Sequence, residues 1–96
     1  MSVALAVSKI GEYTSRYDSI TARVNTIQEA LQLEGFKALK AGRDVDTKIH
    51  ESLRKELAVL MYLQGLLKEF IEYWKQVIQQ TLALIKSIQE LAQGAR

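Results

Sequence analysis

Ala41-Gly42-Arg43-Asp44-Val45-Asp46-Thr47 is the one stretch of this chain where the regular spacing of apolar residues gives way to turn chemistry. Gly42 suits the position just past a helix end, because a residue without a Cβ takes φ > 0 at no steric cost. Lys37, Lys40 and Arg43 sit where cations favour the negative end of a helix dipole. Asp44, Asp46 or Thr47 can cap a following helix, and an aspartate suits its positive end. One short connection, about residues 42–44, between two long periodic segments predicts an all-α antiparallel two-helix hairpin.

Upstream of the turn, Val3, Ile10, Tyr17, Val24 and Leu31 fall seven residues apart. Ala6, Tyr13, Ile20 and Ile27 lie three residues after the first four of these. This a/d heptad predicts helix 1 over about residues 3–41, with a narrow stripe suited to a single partner helix. The stripe loses its large apolar residues at Glu34 and Gly35, so a distortion or a new short turn is expected at Gly35.

Downstream, helix 2 is expected over about residues 45–93 and is far more apolar. Position a holds Leu53, Leu60, Leu67, Trp74, Thr81 and Ile88; position d holds Ile49, Glu56, Leu63, Phe70, Val77, Leu84 and Leu91. Position e adds Leu57, Ile71, Ile78 and Ile85, and position g adds Val59, Leu66 and Tyr73. The run Leu57-Ala58-Val59-Leu60-Met61-Tyr62-Leu63 is apolar nearly all round. One narrow-striped helix cannot cover so wide an arc, and soluble monomers seldom expose such a surface. The chain is therefore expected to associate, with Phe70 on the intrachain seam and the position-e residues between chains. The expected assembly interface is Leu57, Ile71, Trp74, Ile78, Ile85, Ile88 and Leu91.

Lys9, Arg16, Arg23 and Lys37 form a basic row at position g of helix 1, while positions e and g of helix 2 carry no acid. The row reads as a solvated flank, or as a charged contact with another subunit's acids or an anionic cargo. His50 lies four residues after Asp46 and next to Glu51, but one imidazole with loosely placed carboxylates lacks the ligand count of a zinc site. A solvent-exposed histidine is the expectation there. Glu69/Glu72 and Asp44/Asp46 bring no partner base, so no enzyme, metal or cofactor is expected. Trp74, Phe70 and Tyr73 read as packing residues rather than a base-stacking platform.

Composition narrows the classes further. Ninety-six residues make one small domain, and 48% hydrophobic with 25% charged residues is too apolar for intrinsic disorder. The absence of proline argues against a sandwich or barrel, and the absence of cysteine excludes disulfides and thiol nucleophiles. A net charge of +2 does not mark a nucleic-acid binder. Val3 to Val7 is too short an apolar run, with no basic flank, to read as a cleavable signal, and the 11-residue run Leu57–Leu67 is too short to span a bilayer. The expected localisation is cytoplasmic at synthesis, with export open to a route that reads no cleaved signal. The expected partners are further copies of the chain or another helical protein.

Ile71, Trp74 and the run Leu84-Ile85-Lys86-Ser87-Ile88-Gln89-Glu90-Leu91-Ala92-Gln93-Gly94 resemble the last helix of the needle-subunit family of bacterial type III secretion systems. That helix carries an aromatic as at Trp74, an aliphatic-basic pair as at Ile85-Lys86, an acid as at Glu90 and an aliphatic as at Leu91. The resemblance implies a small Cys-free hairpin that polymerises into a hollow helical tube, placing the chain at a bacterial surface. It covers about residues 71–94, and three features depart from the pattern: the turn lacks proline, helix 2 is longer before Trp74, and Ala95-Arg96 replaces an apolar tail. The length and mid-chain turn are also similar to helical hairpins exported by type VII secretion, although Ala41-Gly42-Arg43 stands where those have Trp-x-Gly. An adaptor, an export chaperone or a secreted four-helix-bundle partner shares the same outline.

Overall fold

A computed structural model describes residues 2–94. Two helices, α1 (Val3–Ala41) and α2 (Thr47–Gly94), lie side by side, joined by residues 42–46. The described residues measure 83 × 17 × 15 Å, with a radius of gyration of 22.6 Å, against about 13 Å for a globular domain of this size. So slender a body has no centre to bury, and its core is a line between two helices. Ala6, Val24, Ile27, Ala38 and Leu67 are the buried apolar residues along it.

The helix ends follow from local chemistry. Ser2 caps α1, its Oγ accepting from the Leu5 N–H at 3.4 Å. At the other end Gly42 takes φ 66° and ψ 29°. Its N–H donates to the Leu39 carbonyl at 3.2 Å, and the Arg43 N–H donates to the Ala38 carbonyl at 3.0 Å. This is the paired closure of a Schellman motif. Asp46 is the cap of α2, its carboxylate accepting from Lys48 N–H at 3.1 Å and Ile49 N–H at 3.2 Å. Glu34 then ties the turn to α1, accepting from Arg43 Nη1 at 2.9 Å and from the Asp46 N–H at 3.4 Å.

The expected break at Gly35 is absent, and α1 runs unbroken from Val3 to Ala41. The heptad does not end at Leu31: Glu34 and Ala38 occupy its next two positions, and Ala38 is buried. A glycine inside a helix costs only about 1 kcal/mol relative to alanine, which a continuing seam outweighs.

The seam on α2 also differs from expectation. Leu53, Leu57, Leu60, Gln64, Leu67, Ile71, Trp74, Ile78 and Thr81 alternate at spacings of four and three, and all are buried or half-buried. This is the a/e strip of the sequence frame rather than a/d. The displaced position explains the choice: an a/d seam would bury Glu56. In the observed register Gln64 takes a seam place instead, its Nε2 donating to Thr21 Oγ1 on α1 at 2.9 Å. Glu56 moves to the flank, where Arg23 meets it. Leu57, Ile71, Trp74 and Ile78 therefore belong to the line that faces α1. Phe70, expected on that seam, is half exposed and leans on Tyr13 with ring centroids 5.6 Å apart.

Candidate assembly surface

Among the described residues, eighteen large apolar side chains are exposed against five buried apolar residues, so the hairpin leaves most of its hydrophobic potential unused. Their arrangement is regular. Val59, Leu63, Leu66, Phe70, Tyr73 and Val77 also alternate at four and three, and Gln80, Leu84, Ser87 and Leu91 continue the pattern. This second seam runs alongside the one that α1 fills, turned by about a quarter of the α2 circumference. Leu66 and Val77 are half-buried, while Val59, Phe70, Tyr73 and Leu84 are exposed. Tyr73 is held edge-on by Trp74, with ring centroids 5.3 Å apart and planes at 78°. The half-buried ring of the first seam thus orients an exposed ring of the second.

Beyond Thr81 every described residue is exposed, because α2 outreaches the start of α1. Ile85, Ile88 and Leu91, expected in an assembly interface, lie on this projecting end, with Leu91 at 75% exposure. Leu57, Ile71, Trp74 and Ile78 are half-buried instead. The expected interface thus divides between the intrachain seam and the free end. The Val59–Tyr73 part of the second seam was legible as positions d and g, but its separateness was not, since it depends on which strip α1 selects. Near the turn a smaller apolar cluster, Phe36 and Leu39, stands out on α1.

The basic row borders the second seam from the α1 side. Arg16 lines a groove with Ser15, Ser19 and Ile20 of α1 and Leu63 and Leu67 of α2. The sequence leaves the row as a solvated flank or as a contact with another subunit's acids or an anionic cargo; within the chain, Arg23 grips Glu56 with Nε–Oε1 at 2.8 Å and Nη2–Oε2 at 3.1 Å. This two-pronged hydrogen bond raises the Arg23 pKa above its ordinary value and lowers that of the Glu56 carboxyl. Arg16 pairs with Glu12 at 2.8 Å, and Lys9 with the same carboxylate at 3.6 Å. Arg16 also stands 5.9 Å over the Tyr13 ring. Lys37 makes no salt bridge among the described residues, although its charge helps to lower the Glu34 pKa.

His50 departs from the exposed position expected of it. It is half-buried, and its Nδ1 has no hydrogen-bond partner. Among the described residues no three His, Cys, Asp or Glu side chains gather as a metal site, and no helix is long and apolar enough to cross a membrane. Ala95 and Arg96, which stand where the needle-subunit pattern has its tail, lie outside the described residues. These features define an all-α hairpin with an unfilled heptad seam. No protein-family model, curated protein or solved structure matches the chain.

Proposed function

We propose that this hairpin is a structural protein that works by helix–helix self-assembly rather than by catalysis. The observation that carries the reading is the second apolar seam of α2, continuous in heptad spacing and left open by α1. A solvent-facing helix face has no physical need of Phe70, Tyr73 and Leu84 along one seam, whereas a helix between two neighbours does. The finer reading is a homopolymeric subunit of a protein-secretion apparatus. It rests on the resemblance at Ile71, Trp74 and residues 84–94, and it is supported by the coincidence of that run with the projecting end of α2. Light scattering combined with electron microscopy of the purified chain tests both levels. Filaments support the secretion-subunit reading. Discrete bundles remove it and keep self-assembly, and a monomer at all concentrations removes both in favour of an adaptor or chaperone.

A further inference from the structure

We infer that the second seam of α2 docks on the same seam of another copy of this chain, with the two α2 helices parallel and in register. The inference rests on the self-assembly reading above and supplies its geometry.

Length identifies the surface. From Val59 to Leu91 the seam runs about 48 Å at about 1.5 Å per residue, and a helix presents a strip about 10 Å wide. That is roughly 500 Å² in projection, more as accessible surface, and so of the order of the about 800 Å² per partner that a stable interface buries. The projecting end at residues 82–94 alone offers only about 200 Å² by the same measure. The long seam is the better candidate for a stable contact.

Polar residues choose the orientation. The seam consists of two files, each with a seven-residue repeat. Leu63, Phe70, Val77, Leu84 and Leu91 form one file and are apolar throughout. Gln80 and Ser87 both fall in the other file, which begins at Val59. Antiparallel helices set a residue of one file against the opposite file, so Gln80 and Ser87 would each face an apolar side chain, Phe70 and Leu63, in the register that overlaps the seams fully. Parallel helices set each file against itself. In register, Gln80 meets the partner's Gln80, two amides able to donate and accept, and Ser87 meets the partner's Ser87.

Charge makes the same choice independently. Along its inner border the seam is flanked by the basic row of α1, with Arg16 beside Leu63 and Leu67. Within the reach of α1, its outer border carries Glu69. Antiparallel pairing brings like borders together and faces Lys9 and Arg16, which share the single Glu12 carboxylate, toward their own copies. Parallel pairing in register sets Arg16 of each copy on the side of the other copy's Glu69, which is the complementary arrangement.

The chain contains no cysteine, so single thiols report the geometry cleanly. Full-length Gln80→Cys and Gln79→Cys, the latter one residue away on the outer face, are oxidised with copper phenanthroline and sedimented alongside the unmodified chain. The parallel seam places the Cβ atoms of the two Gln80 positions within disulfide reach, so Gln80→Cys should form covalent dimers about tenfold faster or more than Gln79→Cys. Equal rates in a chain that still sediments above the monomer overturn the parallel seam and leave self-assembly standing. Preferential cross-linking between Gln80→Cys and Phe70→Cys chains overturns it in favour of an antiparallel pair. A monomer overturns both, leaving the seam to another protein's helix.

Discussion

Ile27 is 1% exposed and the largest fully buried side chain, so much of the contact between the helices turns on it. Ile27→Ala should lower unfolding free energy by about 2–5 kcal/mol, read from urea denaturation followed by circular dichroism. A loss below about 1 kcal/mol would show that the hairpin seam contributes little. The two glycines at the end of α1 should respond with opposite signs. Nothing lies within 4 Å of a Cβ built on Gly35, so Gly35→Ala should stabilise the helix by about 0.5–1 kcal/mol. Gly42 sits at φ 66°, where Gly42→Ala should cost about 1 kcal/mol or more. Gly42 was legible as the helix stop because basic residues precede it and aspartates follow. Gly35 misleads because the seam continues through Glu34 and Ala38, a charged residue and a small one that a search for large hydrophobes passes over.

The elements are joined by a latch that responds to pH. Hydrogen bonds from Arg43 and from the Asp46 N–H hold the Glu34 carboxyl below its ordinary value, and the bond from Arg23 does the same for Glu56. A carboxyl with a depressed pKa in the folded chain contributes stability above its unfolded pKa. That contribution is lost as pH falls through the folded value. The melting temperature should therefore fall on acidification from neutrality to below the ordinary carboxylate value of 4.5. Glu34→Gln should lower it at pH 7 and shrink the acid-induced fall, and an unchanged acid dependence in that variant would contradict the role of the latch. Asp46→Ala removes the cap of α2 and should cost about 1 kcal/mol at neutral pH. At this scale the two helices and their antiparallel path were plain from heptad spacing. The seam chosen on α2 was not, because four adjacent files are largely apolar there and pairwise contacts, Gln64 with Thr21 and Arg23 with Glu56, separate them.

The whole molecule is a rod with one apolar seam filled and a second one open. Leu84 separates these surfaces well, being 62% exposed on the second seam and beyond the reach of α1. An unpaired carboxylate in an apolar contact is penalised by several kcal/mol, so Leu84→Asp should weaken association about tenfold or more while leaving helix content nearly unchanged. Ile78→Asp should behave differently, because Ile78 is half-buried on the intrachain line and its loss should unfold the hairpin itself. The width of the apolar arc was legible in the sequence, but which of its residues stay exposed depended on where α1 lies. Sedimentation equilibrium of the unmodified chain, over a range of concentrations at neutral pH, tests the proposed self-assembly directly. The expected mass is at least twice the 10.9 kDa of one chain, falling toward the monomer on dilution. A mass that stays at 10.9 kDa throughout would contradict self-assembly through the open seam.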